Sequence, residues 1–251
     1  MTKNNLTKNN LLSAIFMLAS LPFISFIEPN NVIEKKVDVA KIAVVKTNDD
    51  NVGSSLSNSL YEGLKLSQLG LSKEALDYAL KGYQKLVDAG SVVNNRYLTI
   101  VDFSQSSRKK RFYLLDVKNN KLVHNTFVSH GKNTGIDMAE KFSNKMNSEQ
   151  SSLGFFITTA TYTGKHGLSL RLSGKEAGFN DNAETRGVVV HGAAYVNASR
   201  VNSGYMGRSQ GCPALPEAEY AKVINIIKDG SVMFIYHPSK NYLQKSALLN
   251  G

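Results

Sequence analysis

Cysteine is nearly absent from this sequence of 251 residues, which contains only Cys212. One cysteine excludes an internal disulfide and is too few for a zinc site built from thiolates. The chain also lacks the H-x-x-x-H and C-x-x-C spacings that hold metals. A zinc ion held by His130, His166, His191 and Cys212 is an alternative. Because no two of these residues have metal-ligand spacing, we expect neither a metal nor a cofactor.

Acidic residues are outnumbered in this chain. Twenty Asp and Glu face 30 Lys and Arg, which gives a net charge of +10 at pH 7. Such a charge favours an anionic partner, for example nucleic acid, an anionic lipid or an acidic glycan. The apolar fraction of 42% and the charged fraction of 20% are ordinary for a globular protein. They exclude a disordered chain and a multi-span membrane protein.

Residues 1–27 combine positive charge with an uncharged run. Lys3 and Lys8 precede the stretch 11–27, which carries no charged residue. This asymmetry is typical of an export signal. The run is interrupted by Pro22 and is shorter than the roughly 20 residues that a membrane-spanning helix needs. We therefore expect a cleaved signal and an exported protein, with an uncleaved N-terminal anchor as the alternative.

The rest of the chain divides by composition into four regions. Residues 28–53 are polar and mixed, and we predict a linker there. Residues 54–90 have apolar residues at helical spacing, with Ser72 placed to cap a second helix, and they predict a helical cap of two helices. Residues 91–240 have the composition of a separate folded domain, which we predict there. Residues 241–251 predict a loosely ordered C-terminal tail.

Strand signals dominate the region 91–240. Short stretches rich in Tyr, Phe, Val, Ile and Leu alternate with segments rich in Gly, Ser, Asn and Lys. The predicted strands are residues 96–103, 111–117, 122–129, 154–163, 168–172, 188–190 and 232–236. One helix is predicted among them, over residues 216–228. The expected fold class is α+β, mainly β, with the helical pair packed on the sheet.

The reactive residues concentrate in residues 186–216. His191 ends an apolar strand and is followed by Gly192, so its imidazole would lie at a strand terminus. Cys212 follows Gly211 in a polar loop, which is an unusual place for a packed cysteine. A neighbouring imidazole lowers the pKa of a thiol, and a Cys–His pair can then provide a thiolate nucleophile near neutral pH. The alternatives are a buried packing cysteine and a structural histidine.

The loop around Cys212 also has the composition of an oxyanion site. Gly211 lets backbone amides approach a substrate closely, and the amides of Gly211 and Cys212 are the candidate donors. Ser209, on the same loop, can either donate its hydroxyl to the oxyanion or orient the loop.

These motifs resemble those of a known family. His191-Gly192 followed by Ser209-x-Gly211-Cys212 is similar to the H-G-x…S-x-G-C signature of L,D-transpeptidases, the YkuD-type catalytic domain. Ser129-His130-Gly131 and the stretch 152–156 resemble further family positions. The similar stretches GRSQGCPALP, KFSN and SSLGFF indicate a divergent murein L,D-transpeptidase branch, and the likeness covers about residues 55–240.

The resemblance implies both a fold and a set of roles. The fold would be a mixed-sheet, sandwich-like domain. Cys212 would be the nucleophile, His191 its general base, and the carbonyl of Gly192 would orient the imidazole. Ser209, Gly211 and the amide of Cys212 would line the oxyanion site.

Binding of the acyl donor is less clearly assigned. The family usually has Arg or Asn two residues after the cysteine, and this chain has Ala214 there. Arg208, Arg171 and His130 are the candidates to bind the substrate in its place.

The implied reaction is acyl transfer on the stem peptides of peptidoglycan. The thiolate would attack an L,D-amide, the D-residue would leave, and the resulting thioester would pass to an amine acceptor. With water as acceptor the enzyme would be an L,D-carboxypeptidase. A non-catalytic, cationic wall-binding module is a third possibility.

The implied location is the periplasm or cell envelope, with membrane contact only through an uncleaved N-terminal segment. We expect no nucleic-acid partner, because the sequence has no stacked aromatic platform and no recognition-helix motif. The sequence leaves the oligomeric state open.

Overall fold

The computed structural model of the protein describes residues 49–251. The predicted signal or anchor at residues 1–27 lies outside the described residues, as does most of the predicted linker. Among residues 49–251, no helix combines the length and the apolar character needed to cross a membrane.

A pair of helices precedes the sheet, as the sequence predicted. Helix α1 spans Asp49–Gly63, a 3-10 turn follows at Leu66–Leu69, and α2 spans Lys73–Asp88. The helix thus begins within the predicted linker, before residue 54. The predicted cap of α2 is confirmed, because the hydroxyl of Ser72 accepts a hydrogen bond of 3.1 Å from the amide of Ala75.

Ten strands follow, most of them where the sequence predicted strands. They are β1 (Tyr97–Asp102), β2 (Phe112–Asp116), β3 (Lys121–Thr126), β4 (His130–Gly131), β5 (Gly154–Gly164), β6 (Gly167–Gly174), β7 (Val189–Ala193), β8 (Arg208–Ser209), β9 (Ala214–Pro216) and β10 (Val232–Tyr236). The sequence missed β4, β8 and β9, because two or three residues are too few to show alternation.

Eight of these strands form one mixed sheet in the order β3-β2-β1-β10-β5-β6-β7-β9. The pairs β1–β10 and β7–β9 are parallel, and the other neighbours are antiparallel. Strands β4 and β8 form a separate parallel pair. The predicted mainly β fold with a mixed sheet is confirmed.

Helix α2 packs on the sheet at strands β1 and β10. The approach is close at Gly82, where an added Cβ would lie 2.1 Å from the ring of Phe155. Phe155 in turn stacks on Phe234, with 4.1 Å between ring centroids. Only glycine fits at this contact, because any larger side chain would push the helix off the sheet.

Two predictions about the last part of the chain are wrong. The helix predicted over residues 216–228 is α3, Tyr220–Ile227, because Ala214–Pro216 form β9 instead. The predicted C-terminal tail is folded: α4 spans Lys240–Lys245 and α5 spans Ala247–Asn250.

A buried carboxylate attaches the C-terminal helices to the domain. Tyr242 is 1% exposed, and its hydroxyl donates to Glu176 at 2.8 Å. The hydroxyl of Ser246 also donates to Glu176, which accepts a further 2.8 Å bond from the amide of Phe155. Glu176 is distant in sequence from the C terminus, so the composition of residues 241–251 did not reveal this attachment.

Substitution of Tyr242 tests this attachment. Tyr242→Ala leaves a cavity in the core and removes a donor to a buried carboxylate, so we expect the free energy of unfolding to fall by about 3–5 kcal/mol. The matched control is Gln244→Ala on the same helix, at an exposed position, with an expected change within about 0.5 kcal/mol. Urea unfolding measures both variants. Equal stabilities would contradict a structural role for α4.

Candidate active site

The parallel pairing of β7 with β9 brings the two predicted reactive residues to one place. In this pairing, His191 lies opposite Ala214, and Gly192 lies opposite Leu215. Cys212 is two residues before Ala214, so the loop that carries the thiol ends beside the strand that carries the imidazole. The sequence paired Cys212 with His191 as a prediction, and the strand order brings their two backbone segments side by side.

His191 is buried and held in one tautomer. It is 4% exposed, and its Nδ1 lies 2.9 Å from the carbonyl oxygen of Gly192. A carbonyl only accepts hydrogen bonds, so Nδ1 carries the proton and Nε2 is free to accept one. Burial lowers the pKa of His191, and the neighbouring His166 and Lys165 lower it further, against the opposing effect of the Gly192 carbonyl.

The thiol of Cys212 is half-buried and faces the backbone before β7. Its Sγ lies 3.8 Å from the carbonyl oxygen of Gly187. Within residues 49–251 the thiol donates its hydrogen bond to this group and not to His191. Burial raises the pKa of Cys212, although the Val189 backbone and the charges of Arg186 and Lys165 act in the opposite direction.

These shifts change the expected resting state of the site. The sequence led us to expect a thiolate near neutral pH, but burial favours the neutral form of both the Cys212 thiol and the His191 imidazole. A resting thiolate–imidazolium pair would need strong compensation for its desolvation. Burial thus favours the uncharged form of both side chains over an ion pair.

Ser209 organises the loop around Cys212. Its hydroxyl donates to the carbonyl of Cys212 at 2.6 Å and accepts from the amide of Gly211 at 3.0 Å. The amide of Gly211 is therefore already bonded, which corrects the prediction that it serves as an oxyanion donor. The amide of Cys212 donates in none of the hydrogen bonds within residues 49–251.

Gly211 fits where no other residue would. Its φ is +122°, and an added Cβ would lie 2.8 Å from the carbonyl oxygen of Gln150. The carbonyl of Gly211 accepts a 3.1 Å hydrogen bond from the hydroxyl of Ser151, which also accepts from the amide of Gly131 at 3.1 Å. The segment before β5 thus contacts the loop that carries Cys212 and holds it in place.

The structure contradicts the prediction that His130 binds the substrate. Its side chain is 0% exposed, its Nδ1 lies 2.8 Å from Nη2 of Arg111, and its Nε2 lies 3.2 Å from the carbonyl of Gly135. Because arginine only donates, Nδ1 is the acceptor and Nε2 carries the proton. Burial and the charge of Arg111 lower the pKa of His130 to about 4. His130 is a structural histidine, and a substrate cannot reach it.

The two predicted arginines lie in different surroundings. Arg208 precedes Ser209 in β8, and its Nη1 donates to the carbonyl of Lys132 at 2.9 Å. Arg171 is exposed on β6, with its guanidinium 4.7 Å from the ring centroid of Tyr162. It takes no part in the hydrogen bonds of the Cys212 loop.

Arg186 is a residue of the site to which the sequence assigned no role. Its guanidinium donates to Ser143 O at 2.7 Å, Ser152 Oγ at 2.5 Å, Ser148 Oγ at 3.1 Å and Gln150 O at 2.6 Å. It also lies close to the thiol loop, since an added Cβ on Gly211 would be 3.6 Å from its Nη2. No sequence signal could identify Arg186, because all of its acceptors lie in a distant segment of irregular structure.

The hairpin between β5 and β6 covers the imidazole. The ring of His166 stacks on that of His191, with 4.5 Å between centroids. The zinc alternative had grouped these two residues with His130 and Cys212. A stacked ring pair is not the arrangement of two metal ligands, and the structure buries His130 elsewhere.

Most of the described chain matches the model of one protein family. Residues 67–236, more than half of the 251 residues, match the family model described as L,D-transpeptidase catalytic domain. No curated protein sequence matches the chain.

Several solved structures are similar to the chain. An L,D-transpeptidase from Mycobacterium smegmatis is 17% identical, covers 57% of this chain and 59% of its own, and has a TM-score of 0.36. One from Xylanimonas cellulosilytica is 18% identical, with 61% and 68% covered and a TM-score of 0.33. L,D-transpeptidase 3 from Mycobacterium tuberculosis is 11% identical, with 57% and 61% covered and a TM-score of 0.35. The chain thus spans 59% of the length of the first of these structures.

Alkylation by iodoacetamide tests the state of the thiol. Because burial raises the pKa of Cys212, we expect the alkylation rate to rise with an apparent pKa above 9.0. Arg186→Gln removes a nearby positive charge, so it should raise this pKa further and slow alkylation at pH 8 by about two- to tenfold. Arg186→Lys, which keeps the charge, should recover part of the rate.

Arg171→Gln is the control for a general loss of positive charge, and it should leave the rate unchanged. An apparent pKa near 7 in the unmodified protein would contradict the neutral resting thiol. An unchanged pKa in Arg186→Gln would show that the charge of Arg186 does not act on Cys212.

Proposed function

Since the chain belongs to the L,D-transpeptidase catalytic domain family, we propose that it is a cysteine acyl-transferase acting on the stem peptides of peptidoglycan. The observation that carries this proposal is the pairing of β7 with β9, which places the loop of Cys212 beside His191. The net charge of +10 suits a substrate rich in carboxylates.

The first step is acylation of Cys212. The neutral thiol approaches the carbonyl carbon of an amide between an L-centre and a terminal D-residue, and Nε2 of His191 accepts the thiol proton as the S–C bond forms. Collapse of the tetrahedral intermediate breaks the C–N bond. The imidazolium returns its proton to the departing nitrogen, so the D-residue leaves with a neutral amine and a thioester remains.

The surrounding groups support this proton movement. The carbonyl of Gly192 holds Nδ1–H and stabilises the imidazolium that forms, in the position that a carboxylate has in other catalytic triads. The amide of Cys212 is the donor left for the developing oxyanion. Ser209 acts on the loop rather than on the substrate, since its hydroxyl is bonded at both ends.

The second step decides the product. An amine from a second stem peptide would attack the thioester and give a cross-link, with His191 accepting the proton of the amine. Water in the same position would give an L,D-carboxypeptidase. The groups around Cys212 serve both acceptors equally, and transpeptidation is the reading that the family description supports.

The proposed setting follows from the substrate. Peptidoglycan lies outside the cytoplasmic membrane, so the protein is exported to the periplasm or cell envelope, and residues 1–27 serve as its signal or anchor. Residues 54–90 form a helical cap on the catalytic domain at 91–240. The basic surface would bind the anionic envelope, and no nucleic-acid partner is involved.

Muropeptide analysis tests the reaction and the nucleophile together. The protein is expressed in a wall-bearing host and compared with Cys212→Ala, with export verified for both. We expect new cross-linked or shortened stems with the active protein and none with Cys212→Ala, because the thioester cannot form. The matched control is Gln210→Ala, an exposed residue on the same loop, which should keep full activity.

The masses of the products identify the acceptor. Cross-linked dimers indicate transpeptidation, and shortened monomers indicate carboxypeptidase activity. Unchanged muropeptides with an exported, folded protein would favour the wall-binding module. Activity retained in Cys212→Ala would refute the proposed nucleophile.

The pH dependence of kcat/KM tests the directions of the two pKa shifts. Acid protonates Nε2 of His191 and stops it from accepting the thiol proton. Burial lowers the pKa of His191 below 6.5 and raises that of Cys212 above 9.0, so both groups stay neutral between these values. We expect a flat profile across this range, with an acid limb below pH 6.5. An activity maximum confined to a narrow range well inside pH 6.5–9.0 would contradict the directions of these shifts.

A further inference from the structure

A cavity of about 420 Å³ opens next to the loop of Cys212. Three basic side chains line it, those of Lys132, Lys141 and Arg208, together with the acidic side chain of Glu140. Lys132 is paired with Glu149 at 2.5 Å, so its charge is compensated. Lys141 and Arg208 form no ion pair within residues 49–251, and they leave the cavity with an excess of positive charge.

Among the described residues, only one side of the Arg208 guanidinium forms hydrogen bonds. Its Nη1 donates to the carbonyls of Lys132 at 2.9 Å and Gly135 at 3.5 Å, and its guanidinium lies 5.1 Å from the ring centroid of Tyr205. Its Nε and Nη2 donate to no group in the described part of the chain. These two nitrogens form the edge of a guanidinium that binds a carboxylate through two parallel hydrogen bonds.

The cavity adjoins the reacting centre through two contacts. Arg208 is followed directly by Ser209, whose hydroxyl holds the carbonyl of Cys212. Gln150 lines the cavity, and its carbonyl oxygen is 2.8 Å from the position of an added Cβ on Gly211. These two contacts place the cavity beside the backbone of the loop that carries Cys212.

We propose that Arg208 is a specificity-determining residue, which binds a carboxylate of the peptide substrate through its free Nε–Nη2 edge in this cavity. The inference rests on the proposed function, since it takes the substrate to be a stem peptide. Two carboxylates of such a peptide have the required chemistry: the one on the diamino acid and the one at the C terminus of the terminal D-residue. Both lie within a residue of the amide that reacts.

Binding measurements separate the two sources. The protein is the full chain with Cys212→Ala, which cannot react, and the probes are a tetrapeptide stem and two derivatives, each with one of the two carboxylates converted to an amide. Calorimetry gives the dissociation constants for this protein and for the same protein carrying Arg208→Gln, Arg208→Lys or the control Lys118→Gln, at an exposed position in the turn between β2 and β3.

We expect amidation of one carboxylate to weaken binding by about tenfold or more when Arg208 is present. The same amidation should change binding less than about twofold in Arg208→Gln, with an intermediate effect in Arg208→Lys, which keeps the charge without the fork. The control should behave as the parent protein. The derivative that shows this coupling identifies the carboxylate. Equal effects of both amidations with and without Arg208 would overturn the inference.

Turnover by the protein with Cys212 intact tests the proposed function separately. If the protein converts the stem peptide but amidation weakens binding equally with and without Arg208, only the carboxylate site is overturned. Coupling without turnover refutes the proposed reaction and leaves the carboxylate site established. Thermal unfolding of Arg208→Gln verifies its fold, and Arg208→Lys carries the comparison if Arg208→Gln unfolds.

Discussion

The candidate site depends on one structural constraint, the parallel pairing of β7 with β9. Three antiparallel pairings lead from β10 through β5 and β6 to β7, and β9 is added at the edge of the sheet. A parallel neighbour needs a crossover connection, and residues 194–213 provide it. That connection carries both Ser209 and Cys212, so the reactive loop exists because the edge strand is parallel. An antiparallel hairpin would have left no room for it.

Burial then sets the chemistry available at this edge. Removing His191 and Cys212 from water disfavours the charged form of each, and the charges of Arg186 and Lys165 compensate only in part for the thiol. Two neutral partners are easier to bury than an ion pair. In the proposed reaction, proton transfer from the thiol to the imidazole therefore accompanies bond formation. The carbonyl of Gly192 suits this scheme, because it orients the imidazole without adding a charge of its own.

The sequence predicted the parts of this site that depend on local pattern. Cys212 after a glycine and the cap of α2 at Ser72 follow from neighbouring residues. His191 was predicted to end an apolar strand, but it lies in the middle of β7, because the strand continues to Ala193. The features that sequence reasoning missed depend on distant partners. Arg186 is defined by acceptors in residues 143–152, His130 by its contact with Arg111, and Tyr242 by Glu176. Periodicity and capping rules carry no information on such pairs, since both describe a single element.

The packing around Ala214 explains why the positive charge near Cys212 is that of Arg186 and not that of a side chain at position 214. Ala214 is 0% exposed and packs in a small apolar cluster with Phe127, Val196 and Met206. An arginine there would place an unpaired charge among these side chains, at a high desolvation cost. Arg186 lies before the start of β7, near the thiol loop that precedes β9, and backbone carbonyls and serine hydroxyls satisfy its donors there. Its charge can therefore act on Cys212 without being buried in an apolar environment, so the apolar cluster and the nearby cation are compatible in this fold.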